Sequence, residues 1–183
     1  MESRKLKALS GAVVAVTLIS VGIFLALRAP RSRFRVRPRD NEALTKLFQE
    51  DQADRTPDNI DWSVVGPRDE AREARAKELY FGNMLGTASD YYHIAMILQH
   101  ANSPDDYMLA HELCVAAIIK GSEDAKWLAA ASEDRFLMSL DRPQRFGTQY
   151  QSKGPSEDFR LYKMEPGVTD AVRGIMNVPR PRD

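Results

Sequence analysis

Cysteine is almost absent: Cys114 stands alone among 183 residues. A single thiol closes no internal disulfide, so packing and polar contacts must hold the fold. Cys114 lies in the apolar run Leu113-Cys114-Val115-Ala116-Ala117 and reads as a small buried hydrophobe rather than a nucleophile. Several patterns that announce chemistry are also missing. There is no phosphate-binding P-loop, no dinucleotide glycine motif and no Gly-x-Ser-x-Gly, so nucleotide use and triad hydrolysis find no support. Neither His-Glu-x-x-His nor Cys-x-x-Cys occurs. His93, His100 and Asp90 share a helical face, with His111 and Cys114 on the next helix, and that contact is the one place a metal ligand set would form. No metal or cofactor is expected.

Net charge is absent as well, with 26 basic and 26 acidic side chains, but the balance hides a split. Residues 1–39 carry nine Lys or Arg against one Glu, leaving 17 basic and 25 acidic residues in 40–183. An acidic body argues against nucleic acid as a partner. The basic residues flank an uncharged run that begins at Ala8 and ends at Leu27. Twenty residues at about 1.5 Å each cover roughly 30 Å, the hydrocarbon thickness of a bilayer. No small-x-small cleavage site closes the run, which favours an uncleaved anchor over a signal peptide. Arg4, Lys5 and Lys7 precede it, whereas Arg28, Arg31, Arg33, Arg35, Arg37 and Arg39 follow. Counting these flanks places the following domain on the cytoplasmic side.

The expected organisation is therefore a basic flank (1–7), a transmembrane helix (8–27), an Arg-rich linker (28–40), a helical domain (41–176) and a frayed end (177–183). The domain reads as an all-α antiparallel bundle with an irregular C-terminal tail. Asp40 or Asn41 caps a helix over 42–53 with Leu44, Leu47 and Phe48 on one face. Asp51 and Arg55 are spaced for an ordinary helix-surface ion pair. The stretch 59–67 reads as irregular, tucking Trp62 onto the core. A charged helix follows over 68–85, turning Ala71, Ala74, Leu79, Phe81 and Met84–Leu85 inward. Helices over 90–101, 105–120 and 123–140 complete the bundle, joined by short Gly, Ser and Pro connections that make them antiparallel neighbours. Tyr91, Ile94, Leu98, Leu113, Ala117, Trp127 and Ala131 are the expected mutual core. Beyond Asp141, Gly147, Gly154, Pro155, Pro166 and Gly167 break the chain into a wrapping tail with a short helix capped by Thr169.

Two resemblances can be read from these residues. The small-residue spacing Ala116-Ala117, Gly121, Ala125, Leu128 resembles Sel1-like or tetratricopeptide hairpins, but one copy does not make a solenoid. Asp51-Gln52-Ala53-Asp54-Arg55, His100, Ala110-His111, Asp134-Arg135 and Pro143-Gln144-Arg145-Phe146-Gly147-Thr148-Gln149 together resemble an uncharacterised bacterial helical domain family. Its mark is a DR…PQ-x-aromatic-GTQ signature, and the resemblance spans about 41–176. It implies a helical fold and an important motif, and no particular reaction.

Chemistry is expected where that motif folds together. Asp134 shares a stripe with Trp127 and Ala131, so its carboxylate needs a partner, with Arg135, Arg55 and Thr148 as candidates. In the loop 144–149, Gly147 permits close backbone approach while Gln144, Thr148 and Gln149 supply donors and acceptors. Asp134, Arg135, Gln144, Gly147, Thr148 and Gln149 are thus the candidate ligand-binding set, and a buried clamp is the alternative reading of the same residues. The functional expectation is a tethered interaction module for a protein segment or small polar ligand. The alternative is a hydrolase-like enzyme with His100 or His111 as base and Asp134 as orienter.

Overall fold

The structure, a computed structural model, describes residues 38–151, 159–165 and 167–181. The bilayer-length run from Ala8 to Leu27 lies outside them. Among the described residues no helix is long and apolar enough to cross a membrane.

Six helices make up most of the described chain: α1 (Glu42–Ala53), α2 (Trp62–Phe81), α3 (Ala88–Leu98), α4 (Pro104–Ile119), α5 (Ala125–Ser139) and α6 (Asp170–Ile175). Their starts follow local chemistry. Asn41 accepts the amides of Ala43 and Leu44, while Thr87 and Asp90 exchange bonds as a capping box. Ser103 caps α4 with Pro104 at its first position, and Thr169 caps α6. Helix α4 packs between α3 and α5, with α1 and α2 laid against α3. The α4–α5 contact is built from Ala110, Cys114, Ala117, Ala125, Leu128 and Ala129, all fully buried. Small side chains let the two backbones approach, and burial pushes the Cys114 thiol up to about 12.

The fold departs from the sequence reading in four places. Helix α2 begins at Trp62 rather than after Pro67, and Trp62 is 62% exposed instead of tucked inward. Its buried face is Val65, Arg72, Ala76 and Leu79, with Ala71, Ala74 and Phe81 outside. Trp127 is 38% exposed, because Ala125, Leu128 and Ala129 already fill the α5 side of the core. The tail is not wholly irregular: β1 (Tyr150–Gln151) pairs antiparallel with β2 (Arg160–Leu161), Tyr150 opposite Leu161. Nor does the chain fray at once after 176, since Val178 is buried against Ala130 and Phe146. Helix α6 thus ends against the loop that follows α5.

Candidate functional site

Three polar assemblies sit around the α4–α5 core, and they differ in how completely their groups are satisfied.

The first is the loop clamp. Asp134 is fully buried on α5. One carboxylate oxygen accepts the backbone N–H of Arg145 at 2.7 Å and of Phe146 at 2.9 Å. The other accepts the Thr148 N–H at 3.0 Å and its hydroxyl at 2.8 Å. Four donors, three from the backbone, leave little capacity for anything else. On the other side of the same peptides, the buried guanidinium of Arg173 donates to the carbonyls of Phe146 and Arg145. An anion therefore grips the amides and a cation the carbonyls of one two-residue segment. Gln144, also fully buried, donates to the carbonyls of Gln149 and Tyr162 and accepts the Gln149 amide. Gly147 completes the turn with φ at +76°, and a Cβ there would stand 2.9 Å from Met164 Sδ and 3.0 Å from Pro181 Cγ. Both the backbone conformation and the space require glycine.

The second is an ion-pair lattice joining α1 to α2. Arg55 bonds Asp51 at 2.9 Å and forks onto Asp69 at 3.2 and 2.8 Å. Arg72 reaches Asp54 at 2.8 Å and Asp69 at 2.5 Å, and Arg68 adds a second bond to Asp54. Burial pushes the Asp51 carboxyl up despite Arg55 and Arg72 beside it. Burial also opposes the charge of Asp69, but Arg55 and Arg72 hold its carboxyl below the usual range. The Asp51–Arg55 spacing foretold a surface pair; instead Asp51 is buried, because α2 lies over it with Arg72 pointing inward.

The third is a cleft of about 460 Å³ with Arg55, Trp62, His100, Asn102, Tyr107 and Arg135 among its lining residues. Arg135 follows Asp134 by one helical step, about 100°, and so leaves the clamp for this cleft. Among the described residues it makes no ion pair, and its Nε is buried without a hydrogen-bond partner. Burial lowers the pKa of its guanidinium, an effect that the nearby Tyr107 opposes and Arg55 adds to. His100 also faces the cleft, its Nε2 3.6 Å from Asp51. Burial and then the charges of Arg55 and Arg135 push its imidazole down to about 3, so it is neutral.

The residues singled out from sequence thus divide. Asp134, Gln144, Gly147, Thr148 and Gln149 come together in the clamp, whereas Arg135 and His100 meet in the cleft. His111 does neither: its Nδ1 donates to the Ala129 carbonyl at 2.9 Å, beside a small apolar pocket with Met108 and Phe136. Neither histidine hydrogen-bonds Asp134. His93 stacks on Phe48 with ring centres 4.3 Å apart, and Asp90 is taken by the amides of Asn41, Gly86 and Thr87. Among the described residues no three His, Cys, Asp or Glu side chains converge for a metal. Sequence reasoning missed Asp69, Arg72 and Arg173, whose charged side chains read as solvated until their neighbours are known. Tyr107 and Trp62 as cleft residues carried no local signal either. Comparison with family models, curated proteins and solved structures finds no match to this chain.

Proposed function

We propose that this chain is a membrane-tethered, non-catalytic binding module. The segment from Ala8 to Leu27 anchors it, with the domain on the cytoplasmic side. The cleft on Arg135 takes a small polar ligand or one side chain of a protein segment. The observation that carries this reading is Arg135 itself, largely withdrawn from water at the wall of an open cleft and without an ion pair among the described residues, since Asp69 in the same cleft is taken by Arg55 and Arg72. Keeping such a cation unpaired is costly, and a bound acceptor relieves the cost. The cleft also falls within the roughly 300–1,000 Å³ usual for small-ligand sites.

The hydrolase-like alternative has less behind it. His100 holds its proton too weakly, at about 3, to serve as a base near neutral pH. Asp134, its supposed orienter, spends both oxygens on the loop.

A saturation-transfer NMR screen of the full-length chain in mild detergent, against mixed amides, alcohols, amines and acids, tests the site. We expect binders whose signal falls in the Trp62→Ala variant and persists in a surface control such as Lys46→Ala. A screen in which every binder ignores Trp62 and Arg135 substitutions rejects the cleft. Alkaline carbonate extraction tests the anchor: a membrane pellet is expected, and a soluble product beginning near Pro30 would exclude it.

A further inference from the structure

We propose that the ligand of the Arg135 cleft carries a single carboxylate on a flat or apolar body, the carboxylate meeting the Arg135 guanidinium and the body lying against Trp62. This inference rests on the cleft being a binding site and adds the chemistry of what binds.

The charges around the cleft argue for one negative charge. Arg55 commits both terminal nitrogens, one to Asp51 and Asp69 and the other to Asp69. Asp69 is shared in turn with Arg72. That lattice is closed on itself. His100, neutral in the fold, adds no second positive charge. Among the described lining residues this leaves Arg135 as the one cation without a carboxylate. One uncompensated charge matches a monoanion. A phosphate dianion would bring a second charge toward Asp69 and the buried Asp51, where like-charge repulsion opposes it.

Geometry argues for a carboxylate among monoanions. A guanidinium offers a planar fork of donors that fits a carboxylate with two parallel bonds. Arg135 stands in the middle of α5, which packs closely against α4, so the backbone that carries the fork is fixed before binding. Tyr107 and Asn102 stand in the same wall and supply further hydrogen-bonding groups.

The aromatic rim suggests the rest of the ligand. Trp62 opens α2, lines the cleft and leaves most of its surface to solvent, with Ile60 next to it. An indole so placed gains from covering by a flat or apolar group.

Three probes of one shape test this: phenylacetate, its neutral isostere phenylacetamide, and phenyl phosphate. They are titrated into the full-length chain in mild detergent and followed by calorimetry and ligand-observed NMR. Phenylacetate should bind saturably, with phenylacetamide and phenyl phosphate at least tenfold weaker. Arg135→Gln should weaken phenylacetate at least tenfold and erase its advantage over the amide. Trp62→Ala should weaken phenylacetate and phenylacetamide by the same few-fold factor, since it removes only the surface beneath the ring. If Arg135→Gln does not fold, Arg135→Lys carries the test, because it keeps the charge and loses the fork; a threefold or greater loss is then expected. Equal affinity of wild type for phenylacetate and phenylacetamide overturns the carboxylate while leaving the cleft a binding site. Preference for phenyl phosphate overturns the monoanion. Absence of any binding that responds to Trp62→Ala overturns both the ligand class and the cleft.

Discussion

Asp134 and Arg135 are neighbours in the chain and opposite in circumstance. The carboxylate is met by four donors at 2.7–3.0 Å and lies wholly out of water. The guanidinium beside it makes no ion pair among the described residues and opens onto a cleft. Both charges were withdrawn from solvent by the same helix, yet the fold satisfied only one in full, for Arg135 has the Tyr107 side chain near it and no ion pair among the described residues. A buried charge surrounded by oriented backbone amides is a structural device, because replacing it leaves those amides unpaired. A buried charge with an empty side is a place where something else can bind. The difference separates a structural clamp from a candidate binding residue in a motif whose residues look equally special in one dimension.

The largest expected effect comes from breaking the satisfied side. Asp134→Ala strands the amides of Arg145, Phe146 and Thr148, and a loss of about 3–5 kcal/mol in urea unfolding is expected. Under 1 kcal/mol would mean the loop holds its place without the clamp.

A pH comparison sharpens the cleft side. His100 is pushed down to about 3 from an ordinary value of 6.5, so the folded chain binds fewer protons than the unfolded one between those values. Stability from this group is present above about pH 6.5 and drains away as pH falls toward 3. Relative to His100→Gln, wild type should lose up to about 1.4 kcal/mol per pH unit in that window. Parallel pH profiles for the two proteins would show that His100 titrates normally in the fold.

The smallest effect has the opposite sign. Arg135→Met removes an unpaired cation while keeping its stem, and a gain of about 1 kcal/mol is expected from thermal or urea melts. A loss of 2 kcal/mol or more would reveal a partner for Arg135 within the chain and erase the contrast with Asp134.

Much of the bundle was legible in one dimension because its cues are local. Asn41, Thr87, Ser103 and Thr169 cap the helices that follow them, since a capping oxygen needs only the next two or three amides. The Asp134–loop contact was also legible, because a carboxylate on an apolar stripe must be satisfied and Thr148 lay in reach of the following loop. Trp127 and Trp62 were misread for a common reason. Size and apolarity favour burial, but at α4–α5 small residues fill the interface, and Trp62 opens a helix where a loop had been expected.

What the sequence determined by itself is the helical class of the domain, the caps at Asn41, Thr87, Ser103 and Thr169, the split of charge between residues 1–39 and the remainder, and the need to satisfy Asp134. Each follows from contacts within a few residues, or from composition alone. Only the tertiary structure decided which charges found partners. Arg72 meets Asp54 from 18 residues away, and Arg173 meets Phe146 from 27. Periodicity puts a side chain on a face; it does not say what that face will meet. Arg135 became a candidate ligand-binding residue, and Asp134 a clamp, because α5 turned one toward its own following loop and the other toward the Tyr107 and His100 wall.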